Sequence, residues 1–344
     1  MKIIKVLVVD DSAFVRKVVR EMLATAPYIE VVGAARDGIE ALELVETLHP
    51  DVVTCDLVMP LLDGVGFVKE QMARRPLPIL LLSVLSEDGE KGLEALAAGA
   101  VDFVQKPTAL ANDELKRIRD ELVEKVKAAV HAPVQRFVEA PAVQTPNEWK
   151  KQTKCKIEVV VIAISTGGPQ ALRYLLPQLP PDFPVPIAIV LHMPVGYTNL
   201  FAKKLDEVSQ IEVLEASDGL ALQPGRAILA QAGRHLVLRK NSKEQVVAQL
   251  SLQPLDSLHR PAADVLFRSA GDVYGDKVLG VVMTGMGKDG QEGAAWIKAQ
   301  GGNILTEAEE SCVIYGMPRS VVEAGLSDAA VPLNQMAQAI MDRI

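Results

Sequence analysis

Short, strongly apolar runs that stop at a charged or hydroxyl residue constrain this chain more than any other feature. Lys5-Val-Leu-Val-Val9 stops at Asp10-Asp11, and Asp51-Val-Val-Thr-Cys-Asp56 ends on a third acid. Pro78-Ile-Leu-Leu-Leu-Ser83 ends on a hydroxyl, and Val101-Asp-Phe-Val-Gln-Lys106-Pro107 reaches a lysine. Runs of this length predict buried strands, here 3–9, 29–35, 51–55, 78–82 and 101–104, alternating with amphipathic helices. Ser12 is placed to cap the first helix, and Leu93, Leu96 and Ala97 mark the apolar side of another. The alternation fits a flavodoxin-like open parallel sheet of five strands.

A helix over about 112–130 runs into a stretch with Pro133, Pro141 and Pro146 and no periodicity, which reads as a linker. A second α/β region opens on the near-continuous run 157–164. Further strands are expected at 186–191, 211–215, 226–230, 234–238, 245–250, 277–283 and 303–306. Helices are expected at about 169–178, 197–208, 262–274, 290–300 and 333–343. The close spacing of the middle strands predicts a local antiparallel section in a doubly wound, mostly parallel domain. The boundaries read from the sequence are 1–127, a linker at 128–154, and 155–344.

With 344 residues the chain is long enough for about two domains. A net charge of −8 argues against nucleic-acid binding as the main function, since phosphate backbones call for excess Lys and Arg. Cys55, Cys155 and Cys312 have neither disulfide-framework nor metal-ligand spacing and read as thiols in a reducing compartment. Apolar runs fall short of a membrane span, and Asp10-Asp11 interrupts the N-terminal one, so neither membrane insertion nor a signal peptide is expected. The expected location is the cytoplasm.

In a parallel sheet the carboxyl ends of the strands open onto one crevice, where Asp10, Asp11, Asp56, Ser83 and Lys106 would meet. Three acids repel unless a cation holds them, and hard oxygen ligands suit magnesium, which favours a phosphoryl group. Asp56 would then be the phosphoacceptor, with Lys106 and the Ser83 hydroxyl on the phosphoryl oxygens. Any one of these acids alone would read as a partner of a helix dipole.

A second constellation lies in the later region. Ser165 follows its strand directly in Ser165-Thr-Gly-Gly-Pro169, with Pro169 placed at the first helical position. A hydroxyl beside free amides suits a nucleophile with an oxyanion hole, and a phosphate-binding turn equally well. His192 ends the strand 186–191 and is the best-placed general base, since His49 and His131 lie elsewhere and His235 and His259 read as residues of polar turns. Gly285, Gly287 and Gly290 formally make a dinucleotide fingerprint, with Glu307 as its distal acid. Asp289 inside that loop would repel a pyrophosphate, whereas it could orient His192.

Over residues 1 to about 125 the motifs Asp10-Asp11-Ser12, Asp56-Leu-Val-Met-Pro60 with Asp63-Gly64, Ser83 and Lys106-Pro107 resemble the receiver domains of two-component response regulators. The resemblance implies phosphorylation of Asp56 by a histidine kinase, the Val58 carbonyl as a further magnesium ligand, and Phe103 as the aromatic switch residue. Over nearly all of the chain the sequence resembles the chemotaxis response-regulator protein-glutamate methylesterases. The motifs there are Ser165-Thr-Gly-Gly-Pro169, His192-Met-Pro194, Gly233-Arg-His235, His259-Arg-Pro261, Thr284-Gly-Met-Gly-Lys-Asp-Gly290 and Tyr315-Gly-Met-Pro318. That resemblance implies a triad of Ser165, His192 and Asp289, the Met286 amide in the oxyanion hole and Thr166 beside the nucleophile. It implies hydrolysis of glutamate methyl esters on chemoreceptor cytoplasmic helices, deamidation of glutamine there, and no cofactor for the hydrolysis. Ala163, Leu191, Gln231 and Glu307 depart from the family's usual residues. The rival expectations are a receiver-controlled dinucleotide-binding enzyme and a non-catalytic docking protein that competes for kinase phosphate. The architecture also suggests that residues 1–150 hold the second domain inactive until Asp56 is phosphorylated.

Overall fold

The computed structural model describes residues 2–83, 89–107, 112–130 and 157–344. The chain divides into two compact units, Met1–Arg136 and Phe137–Ile344. Most of the sequence read as a linker, with His131 and Cys155, lies outside the described residues, and residues 128 and 129 belong to a helix.

The first unit runs β1 (Ile4–Val9), α1 (Ala13–Leu23), β2 (Ile29–Ala35), α2 (Gly38–Leu48), β3 (Val52–Asp56), α3 (Gly64–Arg74), β4 (Ile79–Ser83), α4 (Gly89–Ala97), β5 (Asp102–Gln105) and α5 (Asn112–Ala129). Its five parallel strands lie in the order β2-β1-β3-β4-β5, the doubly wound arrangement expected. β3 and β4 are buried throughout, so each reads as an unbroken apolar run. The Ser12 hydroxyl accepts from the Val15 amide and starts α1. On α4 the buried residues are Gly92, Leu93, Ala95 and Leu96, while Ala97 is exposed, one position away from the face expected.

The second unit runs β6 (Val159–Ile164), α6 (Gly168–Leu175), β7 (Ile187–Leu191), α7 (Thr198–Asp206), β8 (Glu212–Glu215), β9 (Arg226–Leu229), β10 (His235–Lys240), β11 (Val246–Ser251), α8 (Ala263–Tyr274), β12 (Val278–Val282), α9 (Gln291–Ala299), β13 (Asn303–Glu307), α10 (Met317–Glu323), β14 (Ala329–Val331) and α11 (Leu333–Met341). Seven strands form one parallel sheet in the order β14-β13-β12-β6-β7-β9-β8. The central strand β6 is buried at every position. From β6 the chain winds first toward β7 and later returns to β12 on its other side, which makes the β12–β6–β7 edge the topological switch point.

The antiparallel section is a separate hairpin, β10–β11, registered from His235↔Ser251 to Lys240↔Val246. Its turn is organised by Asn241, whose Oδ1 accepts from the Lys243 and Gln245 amides, with Glu244 at φ 59°. β10 joins α8 through the Ser269 hydroxyl, which accepts from the Leu238 amide. Helices α8 and α9 lie close because Gly293 has no side chain: a Cβ there would stand 2.5 Å from Phe267 Cβ and 3.1 Å from Asp264 Cα. Phe267 is fully buried, a contribution of about 1.5–3 kcal/mol. β14 and α10 are not predicted by the sequence pattern. β14 has three residues and α10 seven, too few to show a clear period. Among the described residues no helix is long and apolar enough to cross a membrane.

Candidate functional site

In the first unit Asp10 follows β1, Asp56 and Ser83 close β3 and β4, and Lys106 follows β5. The register Asp56↔Leu82 and Ser83↔Gln105 brings these ends to one edge. Carboxylate oxygens of Asp10, Asp11 and Asp56 lie within 4.8 Å of one another. The Lys106 ammonium is 2.7 Å from Asp56 Oδ2 and 3.1 Å from Asp10 Oδ2. The Asp10 contact is an ion pair without hydrogen-bond geometry, so that buried oxygen makes no hydrogen bond. Asp10 Oδ1 accepts from the Ser12 amide.

Burial raises the Asp56 carboxyl to about 6, against the pull of Lys106 and with the push of Asp10. Burial likewise raises Asp10, opposed by Lys106 and aided by Asp11. An oxygen-only donor set whose crowded negative charge is offset by Lys106 alone fits a small hard cation. Val58 is half exposed after β3, and Phe103 is buried on β5 with its carbonyl accepting from the Lys125 ammonium. Ser83 is buried, its carbonyl accepting from the Lys106 amide.

In the second unit the site lies at the switch point. Ile164 stands opposite Leu191 in the β6–β7 register, so Ser165 and His192, each the next residue after its strand, leave the sheet side by side. The Ser165 amide donates to the Thr284 carbonyl, which fixes the end of β6 to the loop after β12. Gly285 presses against Ser165: a Cβ there would lie 2.8 Å from Ser165 Cβ and 2.4 Å from Met317 Sδ. Met286 therefore enters the loop next to the serine, and among the described residues its amide makes no hydrogen bond. Ser165 is half buried and Thr166 buried. The helix after them starts at Gly168 with Gly167 as its cap at φ 80°, so Pro169 is its second residue and not its first.

His192 and Asp289 come together: Nε2 lies 2.8 Å from Asp289 Oδ2. Nδ1 of His192 is buried and makes no hydrogen bond. Asp289 also accepts from the Ala263 amide at 2.7 Å and, through Oδ1, from the Asp264 amide at 3.0 Å. Burial acts to raise Asp289, but the His192 hydrogen bond and charge with the two amides outweigh it and hold the carboxyl at about 2. It is therefore ionised and can only accept, so Nε2 donates to it, and in the neutral imidazole Nδ1 carries the lone pair.

Two histidines read as polar-turn residues have other places. His235 is fully buried as the first residue of β10, with Nε2 against the Pro254 carbonyl and Nδ1 accepting from the Ala262 amide. Burial, with the nearby Arg260 charge, lowers its pKa. His259 stacks on His192, ring centroids 4.1 Å apart and planes 15° apart. Asp264, absent from the sequence expectations, sits beside Asp289 and accepts from the Gly290 and Gly293 amides at 2.9 and 2.7 Å. Burial and the Asp289 charge push it up to about 6 against those amide bonds.

This also bears on the glycine-rich loop. The amides at the start of α9, which a pyrophosphate would need, already serve a carboxylate, so the dinucleotide reading loses its binding groups. Glu307 is no ribose ligand: it is buried, with Oε2 accepting from the Thr284 amide and Oε1 from the Ser311 hydroxyl. Thr284 in turn donates its hydroxyl to the Thr166 carbonyl and accepts from the Ile314 amide. Leu191 covers Gly168, and Ala163 approaches the Gly290 backbone. Gln231 lies half buried after β9, its carbonyl accepting from the Arg234 amide.

Comparison with known proteins places both units. The response regulator receiver domain model matches residues 6–118, so the first unit is a receiver domain. The CheB methylesterase model matches residues 160–340, and the chain belongs to the CheB methylesterase family. It is 49% identical over 335 residues to protein-glutamate methylesterase/protein-glutamine glutaminase 5 of Myxococcus xanthus, covering 97% of this chain and 96% of the relative. It is 40% identical over 347 residues to the protein-glutamate methylesterase/protein-glutamine glutaminase of Pyrococcus horikoshii, covering 99% and 94%. The crystal structure of the Thermotoga maritima CheB methylesterase catalytic domain matches with a TM-score of 0.53 and 38% identity, over 55% of this chain and 99% of that one.

Proposed function

We propose that this chain hydrolyses methyl esters of glutamate side chains on the cytoplasmic helices of chemoreceptors, releasing methanol, and deamidates glutamines there, under control of phosphorylation at Asp56. The observation that carries the reading is the 2.8 Å His192–Asp289 hydrogen bond, with the opposite ring nitrogen buried and unbonded and with His192 and Ser165 following adjacent strands at the same edge.

In the proposed sequence His192 Nδ1 takes the Ser165 hydroxyl proton as Oγ attacks the ester carbonyl. The negative oxygen of the tetrahedral adduct is met by the Met286 amide, with Thr166 beside the nucleophile. Asp289 stabilises the imidazolium. As the adduct collapses, the C–O bond to methoxide breaks and His192 returns its proton, releasing methanol. Water activated by His192 then cleaves the acyl-serine, freeing the glutamate carboxylate and restoring the Ser165 hydroxyl. A glutamine amide follows the same course with ammonia leaving.

In the first unit Asp10, Asp11 and Asp56, with the Val58 carbonyl, are the residues that would hold a magnesium ion, which when bound offsets the charge of a phosphoryl group. The Asp56 carboxylate attacks the phosphorus of a kinase phosphohistidine; the P–N bond breaks and a P–O bond forms. Lys106 pairs with the transferred oxygens, Ser83 donates to one of them, and Phe103 is the side chain expected to report the change. Replacing Ser165 with Ala tests the chemistry: methanol release from methylated receptor fragments falls by at least about a thousandfold, with circular dichroism unchanged. Full release by the variant would overturn the triad.

A further inference from the structure

Helices α8 and α9 begin at the same place, and each N-terminus is closed by an acid belonging to the other. Asp289, just before α9, accepts from the Ala263 and Asp264 amides of α8. Asp264, at the start of α8, accepts from the Gly290 and Gly293 amides of α9. Neither helix has a capping side chain at its own N-cap position, where Ala262 and Gly290 stand. The four bonds therefore form a closed exchange between two helix ends, where unsatisfied amides and positive dipole ends favour carboxylates. Gly293 permits the approach, since a Cβ there would meet Asp264 Cα at 3.1 Å.

The exchange has a consequence for Asp289. Its Oδ2 oxygen is shared between the Ala263 amide and His192 Nε2, so its position is set by where residue 289 sits in the backbone. Residue 290, the next in the chain, is held by Asp264. We infer that Asp264 is a positioning residue of the hydrolytic site, fixing the Asp289 backbone so that its carboxylate meets His192 in the geometry that leaves the opposite ring nitrogen for Ser165. The inference rests on the triad reading given above. Asp264 meets neither substrate nor reacting atoms; it acts through Asp289. Displacement of a triad member by about 1 Å is enough to cost up to a hundredfold in rate.

The test is methyl-ester hydrolysis by the full chain carrying Asp264→Ala or Asp264→Asn. Asn keeps an oxygen that accepts from both amides; Ala keeps nothing. Asp264→Ala is expected to lower kcat by between about tenfold and a hundredfold with KM changed less than about twofold. Asp264→Asn is expected to restore kcat to within about threefold of wild type. A cap that serves stability alone would lower the melting temperature of Asp264→Ala and leave kcat per folded molecule unchanged, and that result would overturn the inference. Should the Ala variant fail to fold, Asp264→Ser, which keeps only a shorter acceptor, replaces it: kcat lowered by at least about fivefold supports the inference, and kcat per folded molecule equal to wild type overturns it. Ser165→Ala in parallel separates the two readings. Full turnover there overturns the triad itself, whereas loss there with an unaffected Asp264→Ala overturns only the role of Asp264.

Discussion

Glu307 holds a carboxyl with no exposed surface at the end of β13, one hydrogen bond from the loop that carries Met286 and Asp289. Burial outweighs the Thr284, Ser311 and Cys312 hydrogen bonds and lifts it from 4.5 to about 7. The folded chain thus holds the proton more tightly than the unfolded one. Its contribution is favourable below pH 4.5 and is lost as pH rises to 7, a swing of at most about 3 kcal/mol. Glu307→Gln retains an acceptor for the Thr284 amide without a titrating group. It should raise the melting temperature at pH 8 and change it little at pH 4.5; thermal melts showing an equal shift at both would contradict the assignment. Not every residue at this site was legible. Ser165, His192 and Asp289 could be singled out because each follows a strand or sits in a glycine-rich loop. Asp264 and His259 could not, since the first acts across 26 residues to Gly290 and the second through ring stacking. His235 beside an arginine looked solvated, but the β10 pairing buries it.

At the scale of elements, the strands were readable because parallel strands buried on both faces are unbroken apolar runs. Their chemistry was readable because the polar residue that ends each run marks the carboxyl edge. The edge strand β14 and helix α10 were not, because three and seven residues are too few to show a period. The joint between α8 and α9 was equally hidden, since it depends on Gly293 lacking a side chain. Gly293→Ala would force Cβ against Phe267 Cβ at 2.5 Å and push the helices apart. A loss of about 1–3 kcal/mol in denaturant unfolding is expected, with lower hydrolytic activity because α9 shifts beneath Asp289. A variant as stable and active as wild type would show that the close approach is dispensable.

At the scale of the whole molecule, two units of related architecture carry opposite electrostatic designs. The receiver gathers carboxylates that burial has raised, Asp56 to about 6, and their crowded negative charge suits a cation. The second unit instead holds Asp289 ionised against burial, at about 2, through His192 and the two amides at the start of α8. The two are proposed to be joined by phosphate on Asp56, which would govern the chemistry of Ser165. The measurement that tests it most directly is methanol release from methylated chemoreceptor fragments, with and without a small phosphodonor, for wild type, Asp56→Asn and Ser165→Ala. Release is expected to rise with phosphodonor in wild type, to stay at its basal level in Asp56→Asn, and to be absent in Ser165→Ala. Release in Ser165→Ala, or a wild-type rate indifferent to the phosphodonor despite phosphorylated Asp56, would contradict it.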